Sequence, residues 1–465
     1  MKFKKSISIL LITVMVLVLV VGCGKKAETP SATPTAAPTA AAPGKPIEIT
    51  FWHAMGGVNG KAIDTMVESF NKSRTDIHLT AQFQGTYDEA LTKLKTSMQG
   101  KSGPDIVQVF DIGTRFMIDS GWIAPMQDLI DADKSVDINS FEPNLLGYYT
   151  INKKLYSMPF NSSTPILYYN KTAFKEAGLD PNVAPKSFKE VEEFSKKLVK
   201  KDASGKVTQY GYSMAVYGWF FEQLLAKQGQ VYANNGNGRT EKATAVAWDK
   251  GDGRTAALNV LNEWKKLVDS GNVGNFGRKT DDTKNAFIAG RTAIMIESTG
   301  ALPGLLSGVG TRFEMGTGFL PSITDGDKGG VMIGGGSLWM IENGDAARKK
   351  AAFEVVKYFV SPAQQVFWNS QSGYFPVTKK AYDLPAMNEQ LKKIPLFKTA
   401  IDQLHATKLT EVTSGGLVGV FAQARATIEI EIEKMLQKTQ TPEQTLDAAA
   451  KSINTAIENY NKTTK

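Results

Sequence analysis

The amino-acid sequence predicts an α/β protein of two lobes, with a chain that crosses several times between them. Segments with strand and helix periodicity alternate at the start of the predicted fold, which is typical of a sheet covered by helices. The proline-containing polar segment 159–165 then interrupts this alternation, and an apolar run follows it at once. Such an extended polar segment between apolar elements is typical of a hinge.

Hydrophobic periodicity predicts five elements in the first lobe. Residues 47–51 and 77–83 alternate between apolar and polar side chains, as strands do. Residues 106–110 form a nearly continuous apolar run of the kind buried in a parallel sheet. Between these strands, apolar residues recur at helical spacing over 63–70 and 87–98. This β-α-β-α-β order predicts right-handed crossover connections.

The predicted hinge carries the polar groups expected of a ligand cleft. Pro159 and Pro165 disfavour helix for the residues before them, and residues 166–169 indicate a buried strand. Between the prolines, residues 161–164 (Asn-Ser-Ser-Thr) offer an amide and three hydroxyls. We therefore expect the cleft to lie beside this segment.

The rest of the chain is expected to be helical, with two more crossings. Residues 171–316 are predicted to be helical and loop-rich, and the Gly-, Asn- and Asp-rich stretch 229–253 is predicted to be a surface excursion. Further crossings are predicted at 319–321 and 372–376. A final helix is expected to begin at Thr441-Pro442-Glu443-Gln444, which combines a capping box with proline in the first turn.

These crossings predict how the chain divides between the lobes. Lobe 1 is predicted to comprise residues 46–161 and 320–372, and lobe 2 is predicted to comprise residues 162–319 and 373–465.

The N-terminus indicates export and lipid attachment. Residues 1–22 combine a basic start with an apolar run of about fifteen residues, shorter than the roughly twenty that a membrane span needs. Cys23, the only cysteine, follows Gly22 directly, as in a lipoprotein signal. Acylated Cys23 would anchor the protein to the outer face of the cell membrane, with residues 23–45 as a disordered tether. The alternatives are an ordinary signal peptide and a single anchor helix.

Charge and motifs argue against several classes of protein. The formal net charge of +8 includes three lysines of the signal, so the surplus of positive charge on the rest of the chain is small. The sequence contains no basic run interleaved with aromatic residues, and nucleic-acid binding is therefore not predicted. Scattered histidines and one cysteine predict no metal site, and we expect no cofactor. A secreted hydrolase is the alternative from another class. It is disfavoured because H-E-x-x-H and G-x-S-x-G are absent and the adjacent carboxylates Asp281 and Asp282 suit acid–base work poorly. We expect no catalytic residues.

Seven segments, in their order along the chain, resemble the solute-binding proteins that feed glycerol-3-phosphate to bacterial ABC importers. They are residues 51–55, 148–149, 159–181, 277–279, 334–339, 378–384 and 441–447. The resemblance implies a class II periplasmic-binding fold, whose two lobes close on a ligand by a hinge. It also implies a non-enzymatic, monomeric receptor that delivers a small molecule to ABC permease subunits.

The resemblance also implies a set of ligand-binding residues. In the family, a tyrosine and a carboxylate meet the glycerol hydroxyls, and serines, a backbone amide, a tyrosine and an arginine hold the phosphate. The matching residues are Tyr87 and Asp111 for glycerol, and Ser163, Ser298, Gly335, Tyr374 and Arg425 for phosphate. A surface ion pair with the acidic stretch 429–433 is the alternative for Arg425.

Two departures from the family pattern concern the choice of ligand. The tryptophan that covers the ligand falls on Val216, with Tyr217 beside it, and Asp111 is one methylene shorter than the family's glutamate. Trp219 matches a second family aromatic that packs structurally. A more open cleft would admit a glycerophosphodiester as well as glycerol-3-phosphate. An oligosaccharide is the alternative ligand, because aromatic side chains suit sugar faces.

Overall fold

The computed structural model describes residues 45–325, 327 and 329–464. Residues 45–465 form one compact unit built around two six-stranded sheets. Cys23, the predicted signal and most of the predicted tether lie outside the described residues.

The first sheet has the strand order β2-β1-β3-β14-β4, and β7 also pairs with β14. Its strands are β1 (Ile47–His53), β2 (Ile77–Phe83), β3 (Ile106–Phe110), β4 (Ile123–Ala124), β7 (Met158–Ser163) and β14 (Gly334–Ile341). β1 is parallel to β2 and β3, as the β-α-β-α-β pattern predicts. β14 returns late in the sequence and runs antiparallel to β3, β4 and β7.

The second sheet has the order β11-β10-β12-β8-β13, and β9 pairs with β10. Its strands are β8 (Pro165–Asn170), β9 (Lys200–Lys201), β10 (Val207–Ser213), β11 (Val273–Gly274), β12 (Thr292–Ser298) and β13 (Met315–Gly318). A separate hairpin joins β5 (Thr150–Ile151) to β6 (Lys154–Leu155). Residues 171–316 therefore supply five strands, although the sequence indicated a helical and loop-rich region.

Helices cover both sheets. In the first half of the chain they are α1 (Gly57–Ser73), α2 (Tyr87–Gln99), α3 (Thr114–Asp119), α4 (Met126–Asp133), α5 (Pro143–Tyr149), α6 (Lys171–Glu176), α7 (Phe188–Leu198) and α8 (Gly218–Lys227). The short segment α9 (Asn234–Gly238) is a turn in which residues 235–237 have left-handed φ and ψ angles. In the second half they are α10 (Gly251–Asp269), α11 (Thr280–Ile288), α12 (Leu302–Val309), α13 (Ala346–Phe359), α14 (Pro362–Ser372), α15 (Pro385–Lys393), α16 (Leu396–Ala406), α17 (Phe421–Leu436) and α18 (Pro442–Thr463). The predicted capping box is present at the start of α18, where Thr441 and Gln444 bond each other's backbone N–H groups.

A single residue connects the two sheets at the first crossing. β7 ends at Ser163 and β8 begins at Pro165, so only Thr164 lies between them, and it is fully buried. Gln403 Nε2 donates to Thr164 Oγ1 (3.0 Å) and to the Pro165 carbonyl (2.8 Å). At the predicted third crossing, the Phe375 N–H donates to the Ser162 carbonyl (2.9 Å). The polar hinge segment is therefore held by hydrogen bonds from later parts of the chain.

The stretch 229–253 is not the surface excursion that its composition suggested. Tyr232 and Trp248 are buried, and their rings pack against each other and against aromatic residues of α8 and α17. Asn237 Oδ1 accepts hydrogen bonds from the N–H groups of Tyr232 and Ala233. The glycines and asparagines form a tight turn, and the apolar residues around it enter the core.

The residues after 372 enter three hydrophobic clusters. Phe375, Val377 and Leu404 lie in the core around the first sheet. α17 and α18 instead pack against each other and against α8 and α10, in a cluster that contains buried residues of both sheets. These clusters do not delimit the lobes, and the placement of residues 373–465 in one lobe stays a prediction.

Candidate functional site

A cavity of about 1030 Å³ is lined by residues from both sheet-containing parts of the fold. The first part contributes the segments that follow β1 and β3 and the start of α2. The second part contributes the end of β12, the start of α8, α11 and the middle of α17. Loops at the carboxyl ends of parallel strands commonly form ligand sites in α/β folds. The cavity is therefore placed where such a fold binds a ligand.

Eight of the nine residues that the sequence predicted for the site line this cavity. They are Tyr87, Asp111, Ser163, Tyr217, Ser298, Gly335, Tyr374 and Arg425. Val216 is the exception, because it is fully buried and is not among the lining residues. Its neighbour Tyr217 and the aromatic Trp219 line the cavity instead.

Arg425 on α17 is buried and makes its closest ion pair with Glu222 on α8. Its Nε donates to Glu222 Oε1 (2.8 Å) and its Nη2 donates to Oε2 (2.7 Å). Nη1 donates to Tyr217 Oη (3.3 Å), and the guanidinium carbon lies 5.4 Å from the centre of that ring. The predicted alternative, a surface ion pair within 429–433, is wrong because the arginine is only 5% exposed and its partner lies on another helix.

Glu222 is the buried partner of the cavity residue Arg425, and the sequence reasoning missed it. It is 2% exposed, and burial raises the pKa of its carboxyl while Arg425 opposes that rise. A usable signal existed, since Glu222 is the only acidic residue of helix α8 and directly follows the apolar run Trp219–Phe221. A charged side chain at such a position needs a buried partner.

Asp111 lies directly after β3 and shares the guanidinium of Arg425. Its Oδ2 is 3.5 Å from Arg425 Nη2, and the side chain is buried. Burial is the main reason that the pKa of Asp111 rises from 3.8 to about 7; Arg425 lowers it and Glu222 raises it further. Glu222 and Asp111 therefore compete for one arginine, and it is Asp111 whose pKa lies near neutral pH.

Two tyrosines form a polar wall of the cavity, and the buried hinge asparagine Asn161 bonds to one of them. Tyr87 begins α2, stacks on Phe110 with 5.1 Å between ring centres, and accepts a hydrogen bond from Asn161 Nδ2 (2.7 Å). Tyr374 stacks on Trp368 with 5.8 Å between ring centres. Burial raises the pKa of both tyrosines, so they stay protonated and can donate to a ligand.

Pairing of β7 with β14 brings Ser163 and Gly335 to adjacent positions. Gly334 pairs with Ser163 and Gly335 pairs with Ser162. Gly335 has φ +95°, and a Cβ there would lie 1.8 Å from the Asn161 carbonyl oxygen. Only glycine fits this close approach of the two backbones, and it leaves the backbone accessible at the cavity wall.

A second polar cluster of the cavity contains Glu297 and Ser298 at the end of β12, with Asp281 and Lys284 on α11. Lys284 Nζ is 2.7 Å from Asp281 Oδ1. Ser298 Oγ accepts from the Gly300 N–H (3.1 Å), which leaves its hydroxyl hydrogen free to donate. The sequence reasoning missed Glu297 and Lys284.

Two general observations concern the described part of the chain. No group of three or more His, Cys, Asp or Glu side chains within it is arranged to hold a metal ion. Among its helices, none has both the length and the apolar character that crossing a membrane requires.

The sequence is similar to known transport proteins. The family model "Bacterial extracellular solute-binding protein" matches residues 65–399. The sn-glycerol-3-phosphate-binding periplasmic protein UgpB of Pectobacterium atrosepticum is 32% identical over 424 residues, which cover 90% of this chain and 93% of that protein. Its counterpart from Escherichia coli K12 is 31% identical over 423 residues, covering 90% and 94%.

Solved structures share the fold. UgpB from Mycobacterium tuberculosis, in complex with glycerophosphocholine, has a TM-score of 0.74 at 23% identity and covers 89% of this chain and 99% of its own. The cyclic α-maltosyl-1,6-maltose binding protein from Arthrobacter globiformis has a TM-score of 0.70 at 24% identity, covering 89% and 100%. These likenesses confirm the predicted two-lobed periplasmic-binding fold class.

Proposed function

The chain belongs to the bacterial extracellular solute-binding protein family, and we propose that it is the ABC-importer receptor for glycerol-3-phosphate or a glycerophosphodiester. The observation that carries this proposal is the convergence of eight predicted ligand-binding residues on one cavity. Those residues are far apart in the sequence; the family resemblance implies seven of them, and Tyr217 stands beside the position that matches the family tryptophan. The similarity to UgpB proteins supports the same ligand class.

The cavity offers donors suited to a phosphate group. Arg425 is the cationic donor, and Ser163, Ser298 and Tyr374 are neutral donors. Charge-assisted hydrogen bonds from arginine are strong in a partly dry site. Glu222 occupies two of the guanidinium donors, so a phosphate would bond to the side of Arg425 that includes Nη1. Tyr87 and Asp111 would hold the glycerol hydroxyls.

The size of the cavity favours a ligand larger than glycerol-3-phosphate alone. Its volume of about 1030 Å³ lies at the upper end of the usual range for small-molecule sites. Val216 lies in the core and does not cover the cavity. A glycerophosphodiester, with a second alcohol on the phosphate, would use more of this space.

Attachment and delivery complete the proposal. Lipidated Cys23 would hold the receptor at the outer face of the cell membrane, and residues 23–45 would allow the folded unit to reach its permease. The receptor would act as a monomer, hand its ligand to the permease subunits and catalyse no reaction. Its relatives are binding proteins, which agrees with a non-enzymatic role.

An oligosaccharide receptor is the second candidate, and the Arg425–Glu222 pair is the observation that favours it. Glu222 offsets the positive charge that a phosphate would need, and Tyr217 and Trp219 provide aromatic faces at the wall. A neutral sugar could bind to such a site without displacing any ion.

Calorimetric titration of the compact unit with glycerol-3-phosphate, glycerophosphocholine and maltose tests the proposal. We expect heat of binding with one or both phosphorylated ligands and none with maltose. Binding of maltose alone would refute the phosphate assignment and favour the oligosaccharide receptor.

A further inference from the structure

Glu297 is a buried carboxylate in the cavity wall whose hydrogen bonding is incomplete. It lies next to last in β12 and is 5% exposed. Its Oε1 accepts from the Ser298 N–H (2.7 Å), whereas Oε2 is buried and has no hydrogen-bond partner among the described residues. A buried acceptor without a donor costs about 1–3 kcal/mol, and more when it is charged. A hydrogen-bond donor at Oε2 would therefore complete the bonding of this side chain.

Glu297 lacks a hydrogen bond rather than a countercharge. Burial raises the pKa of its carboxyl, and the positive charge of Lys284 opposes that rise. Burial also tends to lower the pKa of Lys284, but Glu297 and Asp281 together raise it, so the lysine stays charged. A neutral hydroxyl is the donor that fits such a site, because an ammonium group would be repelled by Lys284.

Glu297 lies in the cavity wall outside the hydrogen-bond network of Arg425. Within the described chain, no hydrogen bond or ion pair joins Glu297, Ser298, Asp281 or Lys284 to Arg425 or to its partners. Ser298, a predicted phosphate contact, is adjacent to Glu297. A carboxylate in this position repels a phosphate dianion more than the single charge of a phosphodiester.

We propose that Glu297 accepts a hydrogen bond from a hydroxyl group of the bound ligand and so selects a phosphodiester whose second alcohol is a polyol. This inference rests on the proposed function and narrows its ligand class. A choline group offers no N–H or O–H donor, so it would leave Oε2 unpaired. A glycerol or similar polyol would complete the hydrogen bonding of Glu297.

The test compares two diesters that share the glycerophosphate half. Calorimetry measures the dissociation constants of glycerophosphoglycerol and glycerophosphocholine for the wild-type unit 45–465 and for Glu297→Gln. In this variant the amide oxygen can still accept from the Ser298 N–H, but an NH2 group, which donates, replaces the unpaired carboxylate oxygen Oε2. Glu142→Gln is the matched control, because Glu142 is equally buried, is paired with His405 and does not line the cavity.

We expect the wild-type protein to bind glycerophosphoglycerol about tenfold more tightly than glycerophosphocholine, as loss of one charged hydrogen bond implies. Glu297→Gln should weaken the binding of glycerophosphoglycerol by about the same factor and change the dissociation constant of glycerophosphocholine less than about twofold. Equal effects on both diesters, or no effect on either, would overturn the inference.

A maltose titration separates this inference from the proposed function. If the wild-type protein binds only maltose, the proposed ligand class is refuted. Weaker maltose binding by Glu297→Gln would then still support the hydroxyl contact, and unchanged binding would overturn it as well.

Discussion

Arg425 and Glu222 form a bidentate ion pair between α17 and α8, with N–O distances of 2.8 and 2.7 Å. Both side chains are at least nine-tenths buried, and the arginine also lines the ligand cavity. The pair therefore couples the packing of two helices to the charge of the candidate site. The effect of this pair on the stability of the fold can therefore be measured separately from its effect on ligand binding.

Replacing Glu222 with alanine should strongly destabilise the fold. Arg425 would keep its charge in a buried site and would retain only the more distant carboxylate of Asp111. Breaking a buried pair in this way costs about 3–5 kcal/mol. Urea unfolding of Glu222→Ala measures this loss. Glu458→Ala, which removes an exposed ion pair with Lys462, should leave the midpoint unchanged. Equal midpoints for both variants would contradict the structural role of Glu222.

Removing both charges should preserve the fold and abolish phosphate binding. In the double variant Glu222→Met, Arg425→Met, apolar side chains of similar length replace the pair, an exchange that is often nearly neutral for stability. We expect an unfolding free energy within about 2 kcal/mol of the wild-type value. Affinity for a phosphodiester should fall on the order of a hundredfold, because the site loses its charged donor. An unchanged dissociation constant would show that Arg425 does not hold the phosphate.

Asp111 should make the stability of the unliganded protein depend on pH. The folded protein retains a proton on this carboxyl up to about pH 7, whereas the unfolded chain releases it near the ordinary value of 3.8. Stability therefore falls as the pH rises from about 4 to about 7, and the full penalty applies above that range. Relative to the wild-type protein, Asp111→Asn should gain on the order of 2 kcal/mol between pH 5 and pH 8.

Asp133 provides the control for this measurement, because its pKa is shifted in the opposite direction from that of Asp111. Asp133 pairs with Lys357, which holds the pKa of Asp133 at about 2. The stability lost by Asp133→Asn should therefore be the same at pH 5 and pH 8. If Asp111→Asn shows the same constant difference, Asp111 is ionised throughout this range and its pKa is not raised.

Much of the fold could be predicted because local patterns agreed with the tertiary structure. The first three strands follow from alternation and from one apolar run, and the third was predicted with its observed bounds, Ile106–Phe110. The hinge was recognisable because prolines flank a short polar segment. The strands β9, β11 and β13 were missed, since two to four residues carry too little periodicity, and the seven-residue strands β10 and β12 were missed as well.

The site could be predicted only where the family resemblance reached it. Tyr87 and Arg425 lie far apart in the sequence, and no local pattern brings them together. Glu222 and Glu297 are the only acidic residues of largely apolar elements, where a carboxylate could equally have marked an exposed edge. Their partners depend on the packing of α8 against α17 and of β12 against α11, which the sequence alone does not specify.

A tryptophan at position 216 should destabilise the protein instead of shifting its ligand preference. Val216 is fully buried in the core, so the larger ring would overpack its surroundings at a cost of about 1–3 kcal/mol. Tyr217→Phe should instead change ligand binding and leave stability nearly unchanged, since it removes a hydroxyl from the cavity wall and leaves the ring in place. Thermal unfolding and calorimetry of both variants distinguish these effects. Altered ligand selectivity in a stable Val216→Trp variant would show that this residue reaches the cleft.

Gly335→Ala should disturb the junction between β7 and β14 and weaken ligand binding. A methyl group at this position would lie 1.8 Å from the Asn161 carbonyl oxygen, so the hinge strand must move. Asn161 also donates to Tyr87, and the displacement would therefore reach the cavity wall.

Gly344→Ala is the matched control, because Gly344 also has a positive φ (+78°) but has no atom within 4 Å of the added methyl group. Both variants share the cost of a strained backbone, and only Gly335→Ala adds the collision. We expect Gly335→Ala to lower the thermal midpoint further than Gly344→Ala and to be the one that reduces affinity, measured by calorimetry. Equal loss of stability with unchanged affinity in both variants would show that the close approach at Gly335 does not shape the site.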